Sequence, residues 1–167
     1  MAEDERGAWL EAAMERYEES LLRMCYAYLA DRALAEDAVQ ETFLKAWKGY
    51  ERFRGEADEK TWLMRIAINT CKSIRRGTWF RHIDRSAMPS QLPEQEASFD
   101  ERDDTVTCAV MKLRPRLREA VLLHWYQEMS AEETAKVLGV SRSTVYERLN
   151  KAQTILKRKL EAWYHEN

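Results

Sequence analysis

The chain has 167 residues, which suffices for one domain or two small ones, and 45% of its residues are hydrophobic. This composition excludes a chain that is disordered throughout. Three widely spaced cysteines, Cys25, Cys71 and Cys108, include no CxxC pair, which argues against a zinc site or a disulfide framework. No apolar run approaches the roughly 20 residues needed to cross a bilayer, so we expect a cytoplasmic protein without membrane insertion.

Hydrophobic periodicity predicts three helices in the first part of the chain, at about residues 8–29, 34–50 and 60–76. An interruption is expected from Phe53 to Gly55. The apolar residues of the first helix recur at spacings of three and four: Leu10, Met14, Tyr17, Leu21, Met24 and Tyr28. Those of the second helix do the same: Val39, Phe43, Ala46, Trp47 and Tyr50. Each helix is therefore expected to pack on one side.

The third predicted helix has an unusual outer side. Its packed side would consist of Leu63, Ile66, Ala67, Thr70 and Ile74. Another side carries a row that we call the cationic stripe: Arg65, Asn69, Lys72 and Arg76. No acidic residue occurs between Thr61 and Arg81, whereas a merely soluble helix usually interleaves Glu and Asp. Such a row is typical of a helix that follows a phosphate backbone and hydrogen-bonds an exposed base. Trp62 could stack on a nucleobase, although packing in the core is the alternative that we favour.

Charge is strongly segregated along the chain. The segment from Lys60 to Arg85 contains seven Lys or Arg residues and one Asp. The segment from Ser141 to Leu160 contains six Lys or Arg residues and one Glu. Residues 89–104 carry six acidic residues against the single Arg102. Basic helices favour phosphate through counterion release even when the overall charge is near neutral, although each block alone also fits an ordinary solvated helix.

The loss of periodicity from 77 to 103 divides the chain. This segment contains two prolines and is acidic, as a linker would be. We therefore predict a helical domain at 1–77, a flexible acidic linker at 78–103 and a second helical domain at 104–167. Helical patterns without a strand pattern predict an all-α fold of two small bundles.

The stretch from Ser130 to Ala152 predicts two helices joined by a four-residue turn. Ser130 and Glu133 are spaced as a capping box, in which each side chain accepts from the other's backbone N–H, and Ser141 can cap the second helix. Gly139 falls where the first helix must end, since only glycine enters the left-handed conformation without a Cβ clash. The pattern is typical of a helix-turn-helix whose second helix lies in a DNA major groove, and an ordinary helical hairpin is the alternative.

The second helix of this pair has two distinct sides. Its packed side would consist of Val145, Leu149, Ala152, Leu156 and Leu160. The opposite side carries Ser143, Glu147, Asn150 and Thr154, flanked by Tyr146 and Lys151. A polar side of this kind makes nucleic acid the first partner to consider. Upstream, Pro115 is expected in the first turn of a further helix, where its missing N–H is harmless.

Four segments in this order resemble an extracytoplasmic-function sigma factor, the compact class of sigma-70 initiation factor in bacteria. They are DAVQETFLKAW (37–47), FRGEADEKTWLMRIAINT (53–70), LRPRLREAVLL (113–123) and the helix-turn-helix. The resemblance spans nearly the whole chain, although no single motif is decisive. It implies a protein that binds core RNA polymerase and directs initiation at specific promoters. It also implies an anti-sigma factor as a second protein partner, and neither a cofactor nor catalytic activity.

The resemblance further implies where these partners bind in the N-terminal domain. Core polymerase would dock on the D-x-x-Q-E-x-F surface: Asp37, Gln40, Glu41 and Phe43. Phe43 and Trp47 could instead belong to the core. The minus-ten promoter element would be bound and opened by Trp62 together with the cationic stripe, with Arg65 and Asn69 against unpaired DNA. Capture of an extruded base would offset the cost of unstacking, so that strand opening needs no ATP.

In the C-terminal domain the resemblance implies a site for the minus-thirty-five promoter element on the second helix of the helix-turn-helix. The positions matching base-reading residues are Tyr146, Glu147, Asn150 and Lys151. The positions better placed for phosphates are Arg142, Ser143 and Arg148.

Two acidic positions depart from the family pattern. Glu59, next to Asp58, stands where family members often carry an aromatic or other apolar residue, so we expect base capture there to be altered or weakened. Glu147 is unusual beside phosphate, but its carboxylate could accept a hydrogen bond from a cytosine amino group in the major groove.

Two other classes of protein are weighed against this one. A two-domain helix-turn-helix regulator that is not a polymerase subunit usually has a sensor half in which strands and helices alternate, and no such alternation precedes residue 77. A helical-bundle enzyme with a carboxylate-histidine metal site would need a Glu-x-x-His motif, which does not occur in the chain.

Overall fold

The computed structural model describes residues 2–53, 58–81 and 101–166, and nearly all of these are helical. The elements are α1 (Ala2–Leu29), α2 (Arg32–Phe53), α3 (Glu59–Arg81), α4 (Glu101–Met111), α5 (Pro115–Val121), α6 (Ala131–Leu138) and α7 (Arg142–Glu166). The prediction of an all-α protein is confirmed. The predicted break at 54–55 and most of the predicted linker lie outside the described residues.

The helices fall into two compact units, Met1–Ile83 and Asp84–Asn167. In the first unit α1, α2 and α3 pack on one another. Its largest fully buried side chains come from α1 and α3 and are those of Leu21, Met24, Leu63, Met64 and Ile68. Phe43 and Ala46 of α2 complete this core, so the predicted stripes of the three helices do pack together.

All three N-terminal helices are longer than periodicity predicted. First-turn charges stabilise the start of α1, and a capping hydrogen bond stabilises the start of α2. Glu3, Asp4 and Glu5 occupy the first turn of α1, where negative charge is favourable. The Asp31 carboxylate accepts a hydrogen bond from the Leu34 N–H, 2.9 Å away, and so caps α2. At the other end, α3 continues through Arg81, five residues beyond the predicted end at Arg76.

Arg118 organises the second unit around α5. Its side chain is 7% exposed, and its guanidinium donates to the carbonyls of Val110, Met111 and Leu113 at the end of α4. Carbonyls at the end of a helix lack the usual i+4 donors. Arg118 supplies donors to these three carbonyls, and the Leu113 N–H also donates to the Val110 carbonyl at 3.1 Å. Arg114 is the N-cap of α5 and Pro115 lies in its first turn, as predicted. The chain then continues as a π-helical segment, Leu122–Tyr126, that no sequence pattern predicted.

The helix-turn-helix forms as predicted, with two corrections. The first correction is that three residues, not four, separate α6 from α7. Gly139, one of these three, is left-handed with φ 67°, as predicted. The Ser130 hydroxyl accepts from the Glu133 N–H at 3.1 Å, but it then donates to the Glu133 carboxylate at 3.0 Å, so only half of the capping box forms. Ser141 caps α7 by accepting from the Thr144 N–H at 3.2 Å.

Within the residues that the structure describes, no helix is long and apolar enough to cross a membrane. Cys25 and Cys71 are buried, as expected for small hydrophobic residues, whereas Cys108 is half-buried.

We predict that Gly139→Ala lowers the free energy of unfolding by about 1–2 kcal/mol, because the Cβ of an L-residue is strained in the left-handed region. Gly7→Ala is the matched control: Gly7 lies inside α1 with nothing within 4 Å of an added Cβ, so alanine should stabilise by about 0.5–1 kcal/mol. Equilibrium unfolding followed by circular dichroism measures both. A Gly139→Ala variant as stable as the parent would contradict the requirement for glycine at this turn.

Candidate polymerase and nucleic-acid surfaces

The cationic stripe lies on the outward side of α3. Arg65, Asn69 and Arg76 are exposed and Lys72 is half-buried. The packed side is as predicted, with Leu63, Ala67 and Thr70 buried and Ile66 and Ile74 half-buried. Thr70 accepts a hydrogen bond from the Lys45 ammonium of α2 at 3.1 Å, which holds the middle of α3 against α2. The stripe is thus presented on a helix whose rotation is set by packing.

Trp62 is a packing residue in the first unit. Its ring stacks on Phe53 at a centroid distance of 4.7 Å and an interplanar angle of 18°, and Trp9 lies 5.9 Å away on α1. A Cβ on Gly49 would come within 3.3 Å of the Trp62 ring, so α2 also approaches it closely. These contacts agree with the core alternative, and a role of Trp62 in base stacking stays a prediction.

Asp58 and Glu59 both make contacts with other residues of the protein. The Asp58 carboxylate accepts from the Thr61 N–H at 3.2 Å and so caps α3. Glu59 accepts from the Trp9 indole N–H at 3.3 Å and lies 3.7 Å from the Arg16 guanidinium. Asp58 thus serves as a cap and Glu59 as a hydrogen-bond and ion-pair partner, and their effect on DNA binding stays a prediction. Their occurrence at the start of α3 therefore has a structural reason.

Tyr17 lies next to this cluster on α1. Burial raises the pKa of its hydroxyl above the ordinary value of 10.0, and the negative charge of Glu59 adds to the effect, whereas Arg16 lowers it. The hydroxyl is therefore neutral at physiological pH. Because the folded-state pKa is raised, the stability that Tyr17 contributes is present below pH 10 and is lost only as the pH rises beyond it.

The D-x-x-Q-E-x-F surface is split between exposed and buried side chains. Asp37, Gln40 and Glu41 are exposed on α2, and the Glu41 carboxylate lies 3.9 Å from the Lys45 ammonium. Phe43 is only 5% exposed and belongs to the core. Its side chain nevertheless lines a groove of about 400 Å³ between α1 and α2, so Phe43 can contact a partner that binds in this groove.

Leu44 is an apolar residue of this surface that the sequence analysis missed. It is 47% exposed and lines the same groove as Gln40 and Trp47. Leu44 follows Gln40 by four residues, so helical spacing places both on one side of α2, away from the packed stripe. That spacing was the signal that could have found it.

Trp47 is half-buried, and the Arg6 guanidinium lies 4.2 Å from the centroid of its ring. Arg6 also donates a hydrogen bond to the Trp47 carbonyl. The first turns of α1 are therefore fixed to the end of α2 by a cation–π contact and a hydrogen bond.

The outward side of α7 carries the residues predicted for DNA. Tyr146 is 52% exposed. The other exposed members are Arg142, Ser143, Glu147, Asn150 and Lys151, and Arg148 is half-buried. Val145, Leu149, Ala152 and Leu156 pack inward. Glu147 accepts from the Lys151 ammonium at 3.1 Å through one carboxylate oxygen, and both side chains remain about two thirds exposed, at 65% and 64%.

Among the described residues, no three His, Cys, Asp or Glu side chains come together in a way that could hold a metal ion.

Two family models match this chain: Sigma-70 region 2 over residues 13–81 and Sigma-70, region 4 over residues 103–153. The chain is 34% identical to the ECF RNA polymerase sigma factor SigG of Mycobacterium tuberculosis, over 92% of this chain and 49% of SigG, so it spans about half the length of that relative. It is 30% identical to the RNA polymerase sigma factor YlaC of Bacillus subtilis, over 90% of this chain and 91% of YlaC.

A solved structure has the same fold. It is the co-crystal structure of the sigma factor RpoE with the anti-sigma factor NepR from Bartonella quintana, in which the matched chain is 25% identical. The TM-score is 0.72, and the match covers 90% of this chain and 98% of the other.

The chain thus combines a helical unit that carries the cationic stripe with a second helical unit that carries a helix-turn-helix. The chain belongs to the sigma-70 family, in its extracytoplasmic-function branch, as the resemblance indicated.

We predict that Trp62→Ala lowers the free energy of unfolding of the first unit by about 3 kcal/mol, because it removes the ring that packs against Phe53, Trp9 and Gly49. Glu59→Gln should change it by less than about 1 kcal/mol, since its partner Arg16 is 66% exposed and water screens the pair. Denaturant titration of both variants measures the difference. Equal losses would contradict the claim that aromatic packing contributes more than the ion pair to the start of α3.

Proposed function

We propose that this protein binds core RNA polymerase as a sigma subunit and directs initiation at specific promoters. The observation that supports this most is the occurrence, in one chain and in the family order, of the exposed cationic stripe on α3 and the capped helix-turn-helix. A protein with two such surfaces can hold two separated stretches of one promoter. In this role it works in the cytoplasm, without a cofactor, and contributes binding energy rather than catalysis.

The stripe on α3 suits the minus-ten element. Arg65 and Asn69 lie one turn apart on an exposed side, so a guanidinium can hold the backbone while an amide hydrogen-bonds an unpaired base. Lys72 and Arg76 extend the positive charge along the strand. Unstacking a base costs a few kcal/mol, and capture of the base by the protein offsets it.

The outward side of α7 suits the minus-thirty-five element. Tyr146, Glu147, Asn150 and Lys151 project where a recognition helix meets base edges, and Arg142, Ser143 and Arg148 flank them at phosphate positions. Glu147 uses one carboxylate oxygen for Lys151. Its other oxygen is available for a cytosine amino group, so we propose that it selects one base pair.

Core polymerase docks on α2 in this proposal. Asp37, Gln40 and Glu41 supply the polar part of the surface, and Leu44 supplies an apolar anchor beside the groove that Phe43 lines. Interfaces commonly combine an apolar centre with a polar rim, and the centre carries most of the binding energy.

An anti-sigma factor is the second protein partner in this proposal. The support is the RpoE–NepR complex, in which a protein of the same fold is bound to an anti-sigma factor. Such a partner would inhibit by covering the surfaces that polymerase and promoter need.

We predict that Arg65→Ala with Asn69→Ala reduces open complexes on double-stranded promoter about tenfold or more, because a hydrogen bond to a charged group is worth about 1.5–3 kcal/mol and a neutral one about 0.5–1.5 kcal/mol. Binding to core polymerase should be unchanged. Permanganate footprinting of the holoenzyme on the promoter measures strand opening.

A pre-melted template is the control for this double variant, since opening is already complete there and initiation should recover. Lys48→Ala removes an exposed cation of α2 outside the stripe and should open the promoter normally. Equal loss on duplex and pre-melted templates would contradict a role in melting.

We predict that Leu44→Ala weakens binding to core polymerase about 10- to 100-fold, because truncation of an interface anchor costs about 1–3 kcal/mol. Fluorescence anisotropy of labelled protein titrated with core polymerase measures the affinity. Ile155→Ala on α7 truncates another partly exposed apolar residue, 36% exposed, and serves as the control. If both variants bind like the parent, the groove on α2 is not the docking surface.

A further inference from the structure

A groove of about 660 Å³ lies between the start of α5 and the first turns of α7. Four of its eight lining residues are cationic and one is acidic. The charged and polar residues are Arg114 and Arg116 on the α5 side and Thr144, Glu147, Arg148 and Lys151 on α7. Arg114 and Arg116 belong to none of the surfaces described above.

The charges in this groove are unbalanced. Lys151 is paired with Glu147 at 3.1 Å. Within the part of the chain that the structure describes, Arg114, Arg116 and Arg148 form no ion pair. Arg114 and Arg116 are exposed and Arg148 is half-buried. Three arginine side chains therefore line one groove without an ion-pair partner among the described residues, although the Glu147 carboxylate lines the same groove.

Folding does not explain the two arginines on the α5 side. Arg114 is the N-cap of α5, where Ser, Thr, Asp or Asn is preferred, and its side chain makes no capping hydrogen bond. Arg118, in the same segment, differs from both, because its side chain is buried and donates to three carbonyls. Arg114 and Arg116 are thus free to serve a ligand.

We propose that Arg114 and Arg116 bind phosphates of one DNA strand beside the recognition helix, in line with Arg148. This inference rests on the proposed binding of α7 to promoter DNA. A guanidinium holds a phosphate through two parallel hydrogen bonds, and the groove edge that carries Thr144, Arg148 and Lys151 is one flank of α7. Phosphate contacts fix register and affinity and carry no sequence information. The two arginines therefore extend the footprint without changing which promoter is chosen.

The test is the salt dependence of DNA binding by holoenzyme assembled from core polymerase and the full-length protein. Each phosphate contact contributes about 0.9 to the slope of log affinity against log salt. Arg114→Ala with Arg116→Ala should lower the magnitude of that slope by about 1.8 between 50 and 200 mM salt. This variant should lose the same affinity for a labelled duplex promoter as for the same duplex with a permuted upstream element.

Two variants control this experiment. Arg114→Lys with Arg116→Lys keeps both charges and should restore most of the slope, which a folding defect would not allow. Arg23→Ala with Arg32→Ala makes the same change in net charge at exposed residues of the first unit that are already paired with Glu19 and Glu36, and it should leave the slope unchanged.

An unchanged slope in the alanine variant would overturn the proposal, as would an equal fall in the Arg23 and Arg32 control. Loss on the promoter but not on the permuted duplex would also overturn it, since that result indicates base contacts. Failure of the proposed function is a separate result: it would appear as a parent holoenzyme that starts no RNA at a defined site.

Discussion

Each long helix of this molecule has one apolar side that packs in the core, and the rest of the structure follows from that packing. Leu63, Ala67 and Thr70 on α3, and Val145, Leu149 and Ala152 on α7, are buried. Burial of apolar surface at about 25 cal/mol per Å² sets the rotation of each helix. The polar side of each helix is thereby placed outward. Packing thus presents the residues that we propose for DNA binding, and it holds exposed cations in register on a small unit.

The parts that follow local rules could be predicted from the sequence. Capping by Ser141, the left-handed Gly139 and Pro115 in the first turn of α5 depend on neighbours within four residues, and each is present. Helical periodicity likewise separated packed from outward residues on α3 and α7. Such features need no knowledge of the rest of the fold.

The parts that depend on tertiary contacts could not be predicted. Ala30 ends α1 with φ 56°, a conformation that favours glycine, and no turn residue marks it. Glu59 contacts Trp9 and Arg16, which lie more than forty residues earlier in the chain, and no local pattern marks these contacts. The groove that joins Arg114 and Arg116 to Arg148 brings together residues more than thirty positions apart. Only packing shows which partners these residues have.

In the proposed function, this chain converts binding to core polymerase and to promoter DNA into initiation at defined sites. The most direct measurement is transcription by core polymerase with this protein as the sole added factor, on fragments of the genome that encodes it, with the RNA 5′ ends mapped. We expect start sites at fixed positions that are absent with core polymerase alone. If the protein fails to bind core polymerase, or binds it and yields no defined start site, it is not a sigma subunit.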